Sequence, residues 1–263
     1  MAVQVRCAGV GIADSVSQPP PRLPGLLTPA RRAGRVARMS FLGTAILAFW
    51  ADVDPSGEAD YVDWHNREHM PERCAVPGFR RGRRYVAVAA APKYFMMYET
   101  ETLATLASPA YVERLNNPTP WTQKCLALFR NSNRTACRTT ASLGGGIGGA
   151  IATIRLGPSP GREQALRQWL VAEALPTILE RPGISAAHLC EADVETTTVK
   201  TKEKDIRDKP DEVARWVVLV EGSDADIVDR TCREALAPKI LEARGAEPGA
   251  VTGLYALHHI VEA

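Results

Sequence analysis

The spacing of apolar and polar positions changes period several times along the chain, and the changes come in the same order twice. Residues 44–53, TAILAFWADV, form an apolar run of strand length. From about Glu58 to Cys74 the apolar residues recur at helical spacing, which predicts a helix. Arg83–Ala90 and 94–100, YFMMYET, read as two strands joined at the Ala-Pro-Lys turn. Helical stretches follow over roughly Thr102–Asn116 and Trp121–Phe129, and NRTACRTTAS has the β-branched content of a closing strand. GGAIATIRL then opens a second series. It continues with a helix over about Gly161–Glu180, strands at ISAAHLCEA and RWVVLVEG (215–222), mostly helical chain from Asp224 to Arg244, and a closing strand at GLYALHHIVE. The glycine cluster LGGGIGGA at 143–150 separates the two series.

The repetition extends to individual residues. WHNREHMPERCAVPGF (64–79) and WLVAEALPTILERPGI (169–184) share Trp64 with Trp169, Glu68 with Glu173, Pro71 with Pro176, and Pro77-Gly78 with Pro182-Gly183. Every match has the same offset of 105 residues, which identifies an internal duplication. The order β-α-β-β-α-β is the split βαβ unit, whose antiparallel sheet carries helices on one face and leaves the other bare. Two such units bury their bare faces against each other most economically. The predicted fold is therefore α+β, with two ferredoxin-like repeats pairing their sheets into a pseudo-symmetric α/β barrel that encloses a cavity. The predicted organisation is a disordered leader or upstream extension over 1–38, a first repeat over 39–143 and a second over 144–263. The prolines of the shared frame should kink or end their helices.

The second repeat serves as a control for the first. Tyr61, His65 and His69 are spaced by four and fall on Leu166, Leu170 and Ala174, which Ile178 extends into an apolar face. That face must pack inward, so the two histidines occupy positions whose counterparts are core. They read either as a core pair satisfied by hydrogen bonds or as groups at a cavity edge. The second repeat also carries a long polar insertion, VETTTVKTKEKDIRDKPDEVA, where the first has a tight turn. It reads as a solvated loop, with a lid over a cavity as the alternative.

Composition narrows the classes. The chain has 263 residues, 45% of them apolar, and a net charge of +2. Six arginines and one aspartate fall in residues 1–38, so the remainder carries 26 basic and 29 acidic side chains. A nucleic-acid partner is not suggested for the folded part. The apolar runs are too short to span a bilayer, so no membrane partner is expected. The six cysteines form no CxxC or metal spacing and read as free thiols, several of them buried, in a reducing cytoplasmic setting. His65, Glu68 and His69 spell H-x-x-E-H, but a third metal ligand is not evident and Glu68 recurs at Glu173 without histidines, so no metal is expected. GGGIGG precedes a strand rather than a helix, which excludes a dinucleotide fingerprint; no cofactor is expected.

Tyr61, Asp63, Trp64, His65, Glu68, His69, Met70 and Pro71, followed by Pro77-Gly78-Phe79, resemble the helix-to-strand signature of EthD-like proteins of the dimeric α/β-barrel superfamily. The resemblance covers residues 40–140 well and the second repeat only by element order and the Trp-Glu-Pro-Pro-Gly frame. It implies a cavity for small, fairly apolar molecules, with His65 and His69 at the polar helix positions beside it.

The expected function is a cofactor-free lyase or isomerase acting on a small carbonyl, lactone or aromatic compound. His69 or His65 would remove a proton, Glu68 would orient an imidazole, and Arg83 with Tyr61, Tyr85, Tyr98 and Trp50 would line the substrate site. Arg67 and Arg73 are weaker candidates. The alternatives are a cofactor-free or haem-dependent monooxygenase and a small-molecule binding protein without chemistry. A homo-oligomer associating through edge strands is compatible with this reading.

Overall fold

The runs of strand-forming residues in the two series are strands, and eight of them close into a ring. The structure is a computed structural model that describes residues 40–207 and 209–263. The leader expected over 1–38 lies outside the described residues. The first series runs β1 (Ala45–Val53), α1 (Glu58–Trp64), a π-helical turn (His65–His69), α2 (Met70–Cys74), β2 (Phe79–Ala89), β3 (Tyr94–Thr100), α3 (Pro109–Asn116), α4 (Pro120–Leu126) and β4 (Phe129–Gly144). The second runs β5 (Ala150–Leu156), α5 (Glu163–Trp169), a second π-helical turn (Leu170–Ala174), α6 (Leu175–Leu179), β6 (Ile184–Ala192), α7 (Val194–Thr198), α8 (Lys202–Ile206), β7 (Trp216–Gly222), α9 (Ala225–Ala235), α10 (Pro238–Ala243) and β8 (Val251–Glu262).

The ring order is β1-β3-β2-β8-β5-β7-β6-β4. Each repeat contributes the same four-strand order, β4-β1-β3-β2 and β8-β5-β7-β6, and antiparallel pairing of β2 with β8 and of β4 with β6 joins them. Closure removes the sheet edges, so the edge-strand association expected from the sequence has no free edge in the ring to use.

Strand alternation sorts the side chains into layers. On β1, Ile46, Ala48 and Trp50 point into the ring, while Leu47 and Phe49 point out beneath the helices. An eight-stranded ring is just wide enough for side chains to fill. Trp50, Tyr85, Phe95, Met97 and Tyr255 fill it, and the indole Nε1 of Trp50 donates to Thr153 Oγ1 at 3.2 Å across the two sheets. A charged cluster occupies one end. Arg83 reaches Glu221 at 2.8 Å and Glu99 at 2.9 Å, Arg81 pairs with Glu99, and His188 lies 3.3 Å from Glu221 beneath the stacked ring of Phe41. Against the upward push of burial, Arg83 and His188 draw the Glu221 carboxyl down to about 2. The enclosed space expected to hold a ligand is thus packed core. The same cluster lets β2 start at Phe79 rather than Arg83, because Arg81 and Arg83 find carboxylates inside the ring.

The prolines neither end nor break their helices. In both repeats a five-residue π-turn comes just before the residue-proline step, and the Met70 and Leu175 amides bond back five residues to His65 and Leu170. The wider turn relieves the clash that a proline ring makes with the carbonyl four residues back. The helices then stop at the shared Pro-Gly turns, where Gly78 and Gly183 have φ of 91° and 85°, a conformation that favours glycine. Cys74, Cys125, Cys137, Cys190 and Cys232 are free and buried, as expected; Cys7 lies outside the described residues. No helix among the described residues is long and apolar enough to cross a membrane.

Candidate functional site

The face of the first helix that carries Tyr61, His65 and His69 lies on the outer surface of the sheet. Its counterpart in the second repeat, Leu166, Leu170, Ala174 and Ile178, packs into that repeat's helix-to-sheet core, as the comparison predicted. Beneath the first repeat's helices lies a cavity of about 40 Å³. Its floor is Leu47 and Phe49 of β1, Met96 and Tyr98 of β3 and Arg134 of β4; its walls include His65, His69 and Arg73 and residues of α3 and α4. Gly82 on β2 helps the helix approach: a Cβ there would meet the Tyr98 ring at 2.9 Å and the Met70 methyl at 3.0 Å.

The cavity roof comes from the second repeat. The polar insertion folds into α7 and α8 and places Glu203 and Arg207, four residues apart on one helical face, over the first repeat's cavity. Glu203 accepts from Arg73, and the Arg207 guanidinium lies 5.6 Å from the Phe49 ring centroid and 2.6 Å from Asp211. Asp211 in turn accepts from Ser132 on β4 at 2.7 Å. The expected solvated loop is therefore a lid, anchored by buried ion pairs.

His65 is 2% exposed, and its ring centroid lies 5.5 Å from that of His69. Burial pushes both imidazoles well below the usual histidine range, and neighbouring cations push the same way: Arg84 on His65 and Arg73 on His69. Both rings are therefore neutral. Several buried side-chain polar atoms among the described residues lack a hydrogen-bond partner, and five of them are the Nδ1 atoms of both histidines, Nη1 of Arg73, Nε of Arg207 and the Tyr98 hydroxyl. Buried polar groups in folded proteins are rarely left so, and these five residues all line one cavity.

Other sequence candidates lie elsewhere. Glu68 accepts from Thr119 Oγ1 at 2.5 Å and Thr122 Oγ1 at 3.0 Å, which ties α4 to the π-turn rather than orienting an imidazole. Tyr61 packs against the His65 ring at 5.4 Å behind the cavity wall, and its hydroxyl contacts Met96. Trp50, Tyr85 and Arg83 are inside the ring, on the far side of the sheet from the histidines. Arg67 is exposed and pairs with Asp63. Of the residues named from sequence, His65, His69, Tyr98 and the weaker candidate Arg73 come together. Arg134, Glu203 and Arg207 were missed; the Glu203–Arg207 spacing is the one local signal that could have marked a buried face in the insertion.

No group of three or more His, Cys, Asp or Glu among the described residues is placed to hold a metal. The closed cavity of about 40 Å³ holds only a few waters.

No family model matches the chain, and no curated protein matches it. Solved structures do. An anthrone oxidase-like protein superposes with a TM-score of 0.58 at 10% identity, covering 83% of this chain and 92% of its own. A protein named for monooxygenase activity from Fusobacterium nucleatum subsp. nucleatum gives 0.55 at 10% identity over 84% and 95%. Another so named, from Lactobacillus acidophilus, gives 0.51 at 8% identity over 83% and 96%. With the ring topology, these likenesses establish a ferredoxin-like fold in which two β-α-β-β-α-β units of one polypeptide close an eight-stranded antiparallel barrel.

Proposed function

We propose that the chain is a cofactor-free oxygen-using enzyme acting on a small, partly aromatic compound with an acidic C–H or O–H bond, bound beneath the first repeat's helices. The observation that carries this reading is the pair of neutral imidazoles, His65 buried and His69 half-buried, whose Nδ1 atoms lack partners and whose side chains line a cavity shared by apolar residues, among them Leu47, Phe49, Met96 and Phe129, and by the polar groups of Arg73, Tyr98, Arg134, Glu203 and Arg207. A neutral imidazole accepts a proton, and the unpartnered Tyr98 hydroxyl and Arg73 guanidinium are suited to hold the anion that results. The EthD-like resemblance of the Tyr61–Pro71 segment supports the same placement.

A lyase or isomerase would begin with the same proton transfer. The oxygen-using reading is preferred because the neighbours in fold carry oxidase and monooxygenase names. For an activated methylene the step balances as follows. His65 or His69 takes one proton, the carbanion gives its electron pair to dioxygen with formation of a C–O bond, and the resulting peroxide anion takes the proton back from the imidazolium to become a bound hydroperoxide. Loss of water then leaves a carbonyl, so one methylene and one O₂ give one C=O and one H₂O. The closed cavity is far smaller than the roughly 300 Å³ at which ligand pockets begin. Substrate therefore enters only when the lid formed by α7 and α8 withdraws.

Anthrone is a direct probe. The native protein should consume one O₂ per anthrone converted to anthraquinone, and His65→Leu with His69→Ala should lower the rate by about 100-fold or more, the range for loss of a general base. Turnover of an enolisable substrate without oxygen uptake would return the assignment to a lyase or isomerase.

A further inference from the structure

The residues that line the cavity carry more cations than carboxylates. Arg73, Arg134 and Arg207 line it and Glu203 is the one carboxylate among the lining residues; Asp211 pairs with Arg207 and Glu72 lies near Arg73 from outside the lining. The histidines add no charge. Arg73 is 2% exposed, yet its Nη1 has no hydrogen-bond acceptor; Glu72 lies 3.9 Å away, beyond reach. Arg207 Nε is also unpartnered, and its side chain is 6% exposed. Buried guanidinium groups with spare N–H bonds call for a further acceptor, and the fork geometry of arginine suits a carboxylate.

We propose that the pocket binds an aromatic carboxylate, and that Glu203 is a built-in stand-in for its acid group, occupying the anion position on Arg73 while the lid is closed. The proposal rests on the cavity being the ligand site and names the class of ligand it takes. The lid is placed for such an exchange. Glu203 and Arg207 face the cavity, while Lys202, Asp205 and Ile206 on the opposite side of α8 border an open groove of about 540 Å³ that reaches Asn116–Pro118 and Gln123. Withdrawal of α8 merges the groove with the cavity and gives a space of ligand size. The exchange also has a low electrostatic cost, because burial holds the Glu203 carboxyl above the usual carboxylate range in spite of Arg73. Such a buried pair returns little of its desolvation energy, and a ligand that brings its own carboxylate and aromatic surface competes with it.

The test uses the fluorescence of 9-anthracenecarboxylate and of neutral 9-anthracenemethanol, titrated with the full chain. The carboxylate should bind at least 10-fold more tightly than the alcohol. Glu203→Gln should tighten carboxylate binding about 10-fold or more without a matching change for the alcohol. Arg73→Met/Glu203→Gln, which leaves no buried carboxylate unpaired, should abolish the preference while thermal melting confirms the fold. Equal affinity for the two probes, or no gain with Glu203→Gln, would overturn the proposal. The site and the ligand class fail separately. Alcohol binding that depends on His65 keeps the site and rejects the anion; carboxylate preference without oxygen uptake keeps the anion and rejects the oxidation.

Discussion

His65 and His69 differ from ordinary core residues because the chain contains its own comparison. At the matching places Leu170 and Ala174 pack into a continuous core, so the backbone needs no histidine there. Importing the second repeat's residues, as His65→Leu with His69→Ala, should leave the melting temperature unchanged or raised, since removing an unpaired buried polar group relieves about 1–3 kcal/mol. Both imidazoles are held below their usual range by burial and neighbouring arginines. The folded chain therefore takes up no proton on them where the unfolded chain does. Stability is full above about pH 6.5 and falls as pH drops toward the depressed values. The His65 and His69 ring resonances should stay fixed between pH 8 and 6 in NMR titration, and the double variant should show a flatter loss of stability over the acid range. Resonances that titrate near 6.5 would contradict the burial of the pair.

At the scale of elements, the site depends on how closely a helix can approach a sheet. Gly82 leaves room for the Tyr98 ring and for Met70 just after the π-turn. Gly82→Ala should cost about 1–3 kcal/mol, as overpacking does, and should lower turnover by displacing Tyr98 from the cavity wall; denaturant midpoints and steady-state rates measure the two effects. The helix, the strands and the inward face were legible in the sequence because each is a local periodicity, repeated 105 residues later. The π-turns were not legible, because a proline in a helix reads locally as a kink or an end. The lid was not legible either. Its burial is created by Arg73 and by the floor of another repeat, and a run of charges carries no mark of where its partners lie. That Arg83 lies apart from the histidines was not legible for the related reason that its partners Glu99 and Glu221 come from β3 and β7, and only ring closure brings them together.

At the scale of the whole molecule, two similar halves differ in what lies beneath their helices. Both repeats supply four strands to a ring whose interior is packed core rather than a chamber. The second repeat keeps the helix-to-sheet interface apolar and lends its insertion to roof the first repeat's cavity. The histidines thus came to light by comparing the repeats, and the side of the sheet they occupy came to light only with the strand register. The central claim is that ligand binds outside the ring, between the first repeat's helices and the outer faces of β1 and β3. A crystal structure of the full chain soaked with 9-anthracenecarboxylate tests it most directly. The account predicts ligand density against His65, His69 and Tyr98, with its carboxylate on Arg73 and α8 displaced. Density inside the ring beside Trp50 and Tyr85, or in any place away from the histidines, would contradict it.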